Sequence, residues 1–423
     1  MPQAQPLPAQ PRSADPVQEP PLPKRAEAAD VFPPIFARIA EGTIGREKAR
    51  ILPHEQVGWL REAGFGALRV PREFGGYGLD ERAAFALLID LAAADPSVAH
   101  LFRGHIAVVE EQLSSPPGPV RDKWLVRFGR GEIVGNATSE PGTPVLGRRG
   151  TELSQDQTGR WSVSGEKYYS TGTIFADWID TSVTRISEGQ AEQASVLVRR
   201  DQSAVRVEDD WDGFGQRLTG TGTTLFLSAP VEAEDIRLRS QRLPWLTGIY
   251  QIVLLSVLAG IAQSLVTEAA TALQRRARVY THGNGDLARD DPQLLQIVGE
   301  IAAQAHAARV LVEDAASRLT PLSVLVQQGQ TQRAADLAVP LEIAVNKAQL
   351  VVGDLVPRAA TRLFDALGAS AVREGEALDR HWRNARTVVS HNPLAYRARD
   401  VGNYLVNGVA PLMSWSVGAR QQP

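Results

Sequence analysis

Seven histidines and no cysteine limit the side-chain chemistry open to this 423-residue chain. Without thiols there are no disulfides, thiolate nucleophiles or Cys-ligated zinc or iron–sulfur sites. Catalysis must rest on His, carboxylates, hydroxyls, main-chain groups or a bound cofactor. His100 and His105 occur together in VAHLFRGH. On one continuous helix a separation of five places them about 140° apart, so they do not share a face as i,i+4 metal ligands would. No metal site is expected. His391 stands in SHNP, where Pro393 biases the chain away from helix. Imidazole is the side chain best suited to proton transfer near neutral pH.

Other groups suit the holding of a flat, polar ligand. GNATSEPG (135–142) gathers Asn136, Thr138 and Ser139 into one short stretch, a polar wall able to hydrogen-bond a heterocycle. YYSTG (168–172) ends an alternating strand with Ser170 and Thr171, whose hydroxyls can donate to a ring nitrogen. DDWDGFGQRLTGTG (209–222) combines Trp211 and Phe214 with four glycines; glycine admits close main-chain approach and the aromatics can stack on a ring. Arg278, in RRARVYTH near a helix end, can pair with a phosphate. PREFGGYG (71–78) forces a tight non-helical passage but lacks the GK[ST] ending of a phosphate loop. Taken singly, each also reads as ordinary structure: a polar turn, a solvated hydroxyl, a core Trp, a basic face.

The elements that position these groups follow from pattern. Residues 1–31 hold eight of the 27 prolines and few large apolar residues, so they read as a flexible arm. Residues 32–132 are helical in pattern, with Glu81–Ala94 presenting an apolar stripe capped by Asp80 and a second helix over Val98–Leu113. From 133 to 240 the chain turns to β-formers in alternation, as in WSVSGEKYYST. From 241 to 412 long Ala/Leu/Val-rich periodic stretches, such as Gln251–Tyr280, Asp291–Arg318 and Arg333–Leu355, predict a helix bundle. Residues 413–423 form a short tail. The apolar run Ile252–Val266 is shorter than the roughly 20 residues of a membrane span, so a buried helix is expected and no membrane contact. A net charge of −3 gives no general pull toward nucleic acid. Nothing resembles a signal peptide, in keeping with a cytoplasmic protein.

In order and spacing these segments resemble the acyl-CoA dehydrogenase superfamily, from about residue 35 to 410. PREFGGYG looks like its first signature. Within it, AAADPSVAHLFRGH, GNATSE, DDWDGFGQRLTGTG, RHWRNARTVVSHNPLAY and VGNYLVNG are similar to the two-component flavin-dependent monooxygenases. The resemblance implies an α+β multi-domain fold: an N-terminal helical domain, a central β-barrel or sandwich and a C-terminal four-helix bundle, assembled as a homotetramer. It implies reduced FMN (FMNH2) from a separate NAD(P)H-dependent flavin reductase by diffusive transfer, a flavin C4a-hydroperoxide formed with O2, and transfer of one oxygen atom to a small sulfur-, nitrogen- or ring-containing substrate. By matched position, Ser170 would lie near flavin N5, with His100 and His391 on the oxygen and substrate side. Asn136, Thr138 and Ser139 would bind the isoalloxazine edge, Trp211 would pack near the ring, and Arg278 would take the FMN phosphate across a subunit boundary. The competing reading is an FAD-dependent acyl-CoA dehydrogenase or oxidase. Many of those carry a catalytic Glu in the C-terminal loop that here reads VVSHNP. Two positions depart from the best-matching members: Gly104 replaces an aromatic residue and Val388 a second His. Both are expected on the site wall, where they could widen the pocket.

Overall fold

The computed structural model describes residues 21–142, 149–187 and 190–413. Most of the expected arm (1–20) and of the tail (414–423) lies outside the described residues. The remainder of the arm does not run free. Arg25 donates to the carbonyls of Glu62 (3.0 Å), Gly75 (3.2 Å) and Gly129 (2.9 Å), pinning residues 21–27 to the body. Helix α1 (Ala28–Glu41) starts before the expected boundary at Phe32. Its Phe32, Phe36 and Ile39 share a buried face, which holds the helix despite Pro33 and Pro34.

The first region continues with α2 (Thr43–Ala49), α3 (His54–Ala63), α4 (Glu81–Ala94), α5 (Pro96–His100), α6 (Arg103–Leu113) and α7 (Pro119–Gly129). Asp80 caps α4 as expected, accepting the Ala83 N–H at 2.7 Å. The single helix expected over Val98–Leu113 is instead two, α5 and α6, broken at Leu101–Phe102. Both residues at the break are fully buried, so packing sets it. Asp95 fixes the start of α5: it accepts from Ser97 N–H at 3.0 Å and pairs with buried Arg46 at 2.9 Å.

The central strands are β1 (Val134–Ala137), β2 (Glu152–Gln155), β3 (Trp161–Lys167), β4 (Trp178–Ser187), β5 (Gln190–Arg199), β6 (Val205–Val207), β7 (Thr224–Val231) and β8 (Ile236–Leu238). They form one eight-stranded sheet, in order β6-β7-β3-β2-β4-β5-β8, rather than two separately bonded sheets. One edge of β4 is shared: β1 pairs in parallel with Trp178–Thr181, β2 with Thr184 and Arg185. The sheet encloses its own apolar core of Leu153, Val163, Ile179, Val196, Val198 and Phe226. A second core, with Trp124, Phe128, Val134 and Trp178, joins it to α6 and α7.

The last region comprises α8 (Leu246–Arg275), α9 (Pro292–Ser317), α10 (Thr320–Gln327), α11 (Thr331–Leu367), α12 (Asp379–Val389) and α13 (Leu394–Asn407). Three helices, α8, α9 and α11, are long. The fourth position of the expected bundle is not one further long helix: α4 packs on α8 and α9, and α12 and α13 pack on α11. One continuous hydrophobic core therefore runs from α1 and α4 through α8 to α12. Helix α8 is long and apolar enough to cross a membrane by composition, but 78% of its apolar window is buried inside the protein. Arg242, in the connection from the sheet to α8, ties the regions together: it meets Glu111 of α6 at 2.6 Å and Asp180 of β4 at 2.9 Å.

Candidate active site

The break after α5 points His100 toward the sheet rather than along one helix with His105. His105 turns the other way. It is fully buried, hydrogen-bonded at 2.8 Å to the Gly66 carbonyl, and its Nδ1 takes the Val134 N–H. It is therefore structural. Among the described residues no group of three His, Asp or Glu is placed to hold a metal ion.

Around His100 the structure gathers several of the expected residues. His100 Nδ1 lies 2.9 Å from Gln216 Oε1, and the Gln216 N–H donates to Asn384 Oδ1 of α12 at 2.6 Å. With the amide oxygen on Nδ1–H, the Nε2 lone pair is left without a partner. The His391 ring lies 5.7 Å from that of His100, inclined at 68°. Asn136 on β1 and Thr171 are joined by a bridge, with Asn136 N–H to Thr171 carbonyl at 3.1 Å. Ser170, next in the chain, is fully buried and its hydroxyl has no partner. A thread of hydroxyls, Thr171 to Thr221 (3.0 Å) to Thr219 (2.7 Å), ties YYSTG to QRLTGTG. The backbone is held tightly here. Tyr169 and Gln216 both adopt left-handed conformations, with φ of 58° and 53°.

Close packing explains two small residues. Gly172 has φ +78°, and a Cβ there would lie 2.6 Å from the Leu101 carbonyl oxygen. A Cβ at Gly104 would lie 2.8 Å from Asn136 Cβ and 3.0 Å from its backbone nitrogen. The space expected to widen the pocket is thus already filled by β1. Val388 also differs from expectation. It is buried inside the bundle, beside a cavity of about 20 Å³ shared with Gln251, Leu254, Gln349 and Asn392. Helix α12 turns that position inward, while His391, past the helix end, is exposed.

The other expected residues are arranged less tightly. Thr138 and Ser139 are exposed and contribute through backbone: the Thr138 carbonyl accepts from Arg149 (2.7 Å) and the Ser139 carbonyl from Tyr168 N–H (2.9 Å). Trp211 is half-buried, with its indole N–H on the Gly215 carbonyl at 3.0 Å and its ring edge-on to Tyr169 at 5.7 Å. Phe214 stacks on Trp382. Arg278 lies near a helix end as expected, but beyond it: α8 stops at Arg275 and Arg278 is exposed on the following loop. Just past the helix end, Arg276 donates to the Ala366 and Leu367 carbonyls at the end of α11. In the single chain Arg278 makes no side-chain contact with the His100–Ser170 group.

Residues that the sequence reading passed over complete the site. Gln216 orients His100. Gln251 of α8 accepts from Asn392 (2.9 Å) and Gln349 (2.6 Å), anchoring the turn that carries His391. Arg103, first residue of α6, is buried over the Tyr250 ring at 4.5 Å. Its signal in the sequence is an arginine in an apolar run with no acidic residue three or four positions away.

Burial, then the Arg103 charge, push His100 down to about 4. Surrounding protein, Arg103 and His100 likewise hold His391 well below the usual histidine range. Both imidazoles are neutral at pH 7, since the depressed values lie below that pH. The oxygen transfer that the resemblance implies should therefore show no histidine ionisation between pH 6 and 8; a coupling profile bending near pH 6.5 would contradict this. Replacing Gln251 with Leu leaves the Asn392 and Gln349 donors unpaired, at about 1–3 kcal/mol for each buried group, and loosens the His391 turn. For the oxygenase activity that the resemblance implies, a few-fold rise in the ratio of H2O2 to product is expected, and an unchanged ratio would remove the anchoring role.

The fold and site together match a known class. The acyl-CoA dehydrogenase N-terminal domain model matches residues 28–132 and the C-terminal domain model residues 252–395. The chain belongs to the acyl-CoA dehydrogenase superfamily. Within it, the chain is similar to dibenzothiophene monooxygenase of Mycolicibacterium goodii, 28% identical over 385 residues that cover 87% of this chain and 91% of that protein. Among solved structures, TdsC from Paenibacillus sp. A11-2 with FMN and indole superposes with a TM-score of 0.82 at 27% identity, covering 92% of this chain and 98% of TdsC. Methanesulfinate monooxygenase MsuC from Pseudomonas fluorescens gives 0.82 at 25% identity, covering 92% and 99%. The expected superfamily, and the expected group within it, are borne out.

Proposed function

We propose that this chain is the oxygenase component of a two-component, reduced-FMN-dependent monooxygenase that places one atom of O2 on a small substrate. The observation that carries the reading is the buried cluster where helices and sheet meet. Asn136 Oδ1, Ser170 Oγ, His100 Nε2 and Gln216 Nε2 are all enclosed without partners. Buried polar atoms left unpaired are costly, and this set offers donors and acceptors matching the edge of a flavin ring. When bound, reduced FMN supplies the two electrons and the position at which oxygen is activated.

The chain's own residues then bind, orient and shield. Ser170 and Asn136 hold the ring from the sheet side. Thr138, Ser139 and Trp211 flank its outer edge. His100, with Nδ1 fixed by Gln216, presents a neutral Nε2, and His391 faces it from the C-terminal turn; between them they hydrogen-bond the oxygen being transferred and hand on its proton. The buried Thr171–Thr221–Thr219 thread and the enclosing helices exclude water. Arg278, exposed and off the site in one chain, takes the FMN phosphate of a neighbouring subunit in a homotetramer. A separate NAD(P)H-dependent reductase supplies the flavin by diffusion, and the enzyme works in the cytoplasm without membrane contact.

The dehydrogenase alternative requires a carboxylate to remove a substrate α-proton. The C-terminal loop where many dehydrogenases carry that Glu reads VVSHNP here, and among the described residues the groups that shift His391 are Arg103 and His100, which favours the oxygenase. The test is to mix the protein anaerobically with reduced FMN and then with O2. Delayed return of oxidised FMN relative to free reduced FMN is expected. Reoxidation at the free-flavin rate, together with reduction of tightly bound FAD by an acyl-CoA, would overturn the reading.

A further inference from the structure

A cavity of about 30 Å³ lies in the first helical region, between the turn Phe65–Ala67, α4 and α6. Its wall is made largely of Phe65, Leu68, Phe85, Leu88, Phe102 and Ile106. Two charged residues, Arg69 and Glu110, also line it, but their heads are engaged with each other and with the protein around them. Arg69 Nε donates to Glu110 Oε1 at 2.8 Å, and the same guanidinium meets Glu81 and the Leu79 carbonyl. The Gly66 carbonyl accepts from His105. Among the described residues, no buried side-chain polar atom of this lining lacks a partner. The wall is the opposite of the cluster around Ser170, where four such atoms are unpaired.

The wall chemistry restricts the occupant. The volume excludes a flavin and an organic substrate. A buried water needs about two to four polar partners, whereas the polar groups of this lining are already paired. Small cavities with aliphatic and aromatic walls take apolar guests such as xenon instead. The position is equally specific. The Phe102 carbonyl accepts the Ile106 N–H at 2.9 Å, so the two side chains sit one turn apart on the same face of α6, toward the cavity. Gly104, two residues on and about 200° round the helix, is packed against Asn136 of β1. One helix thickness, about 10 Å, thus separates the cavity from Asn136. Phe102 also lies at the α5–α6 break, two residues after His100.

We propose that this cavity holds O2 beside the flavin site, with the Phe102 ring as the partition between cavity and site. This rests on the monooxygenase reading above, in which O2 is the one reactant both apolar and small enough to enter. An apolar chamber concentrates O2 relative to water, because the gas gains contacts there and gives up no hydrogen bonds. The Phe102 ring meets two others edge-on, with its centroid 5.1 Å from that of Phe65 and 6.2 Å from that of His105. A phenyl ring has no hydrogen bond to break on turning. Its rotation opens a way toward His100 wide enough for one diatomic molecule, while substrate and bulk water stay on their own side.

The test begins with crystals of the full wild-type chain under xenon pressure. Xenon is expected in this cavity, against Leu88 and Phe102, and its absence from the cavity overturns the proposal. Ala84→Val and Val109→Ile each add methyl groups to the lining and should displace the xenon. In both variants the rate constant for O2 with bound reduced FMN, measured at several O2 concentrations, should fall by about threefold or more. FMN affinity should stay within twofold of wild type. A variant that excludes xenon yet reacts with O2 as wild type does overturns the proposal, and the wild-type crystals decide the first point even where a variant does not fold. The two readings fail separately. Wild-type reoxidation at the free-flavin rate removes the monooxygenase reading, whereas delayed wild-type reoxidation with no xenon in the cavity, or with unaltered variants, removes the O2 chamber alone.

Discussion

The His391→Ala variant is expected to consume reduced FMN and O2 while releasing H2O2 in place of most of the product, with coupling down at least tenfold. The expectation follows from position. His391 is exposed at the opening of the site and its ring is 5.7 Å from that of enclosed His100. Of the pair it is the one exposed to water, and under the proposed function it is the one that would meet entering substrate. Removing it takes away a hydrogen-bond partner for the transferred oxygen and opens a route for water beside it. Positioned acid–base groups typically contribute about 10²–10⁴-fold, so tenfold is a conservative floor. The fold should hardly notice, because the surrounding turn is held by Asn392 on Gln251 rather than by the imidazole. Product and H2O2 counted per reduced FMN check the claim, with a thermal melt as control. A fully coupled variant would take His391 out of the site.

Gly104→Tyr, which restores the aromatic residue of the resembling members, should damage the fold rather than the chemistry. A Cβ at residue 104 would meet Asn136 Cβ at 2.8 Å, its backbone nitrogen at 3.0 Å and its Oδ1 at 3.1 Å. The obstacle is partly main chain of β1, which cannot rotate away. Overpacking a well-filled interior commonly costs about 1–3 kcal/mol and sometimes more, and here a whole ring must follow the Cβ. Loss of most soluble protein, or a melting temperature lower by more than about 5 °C, is the expected outcome. Adding Asn136→Gly clears the side-chain part of the clash and should recover part of the stability, the backbone part remaining. Normal stability of the single variant would mean that α6 and β1 sit further apart than described.

Much of the molecule was legible before its structure. The order of helices, strands and helices followed from periodicity, because a buried apolar stripe leaves its period in the sequence whatever the tertiary details. The Asp80 cap was legible for the same local reason. The break between α5 and α6 was not: Leu101 and Phe102 are ordinary helix residues, and only their complete burial against other elements explains the turn. Helix α11 runs on to Leu367 through Pro357, past the Leu355 limit of the pattern, because packing along its buried face outweighs one missing hydrogen bond. At the site, Ser170, Asn136, His100 and His391 stood out as chemical types in unusual contexts. Gln216 and Gln251 did not, since a glutamine betrays its role only through the partner it meets, and those partners lie 116 and 141 residues away. Arg103 was visible as a residue, but its burial against the Tyr250 ring is legible only in three dimensions.

The reach of those partnerships bears on how the enzyme comes into being. His100 is fixed by Gln216, Gln216 by Asn384, and His391 follows a few residues later, so the last contacts span 168 positions or more of chain. During synthesis the sheet and first helices can fold as soon as they emerge, domain by domain. The His100–His391 ring contact and the Asn384 anchor of Gln216 cannot form until α12 has left the ribosome and docked. A nascent or C-terminally clipped chain can therefore carry most of the flavin-facing wall while lacking both the His391 side and the anchor of Gln216. Intactness of the final helices is thus a condition for assembling the proposed site at all, because its two sides are drawn from opposite ends of the chain.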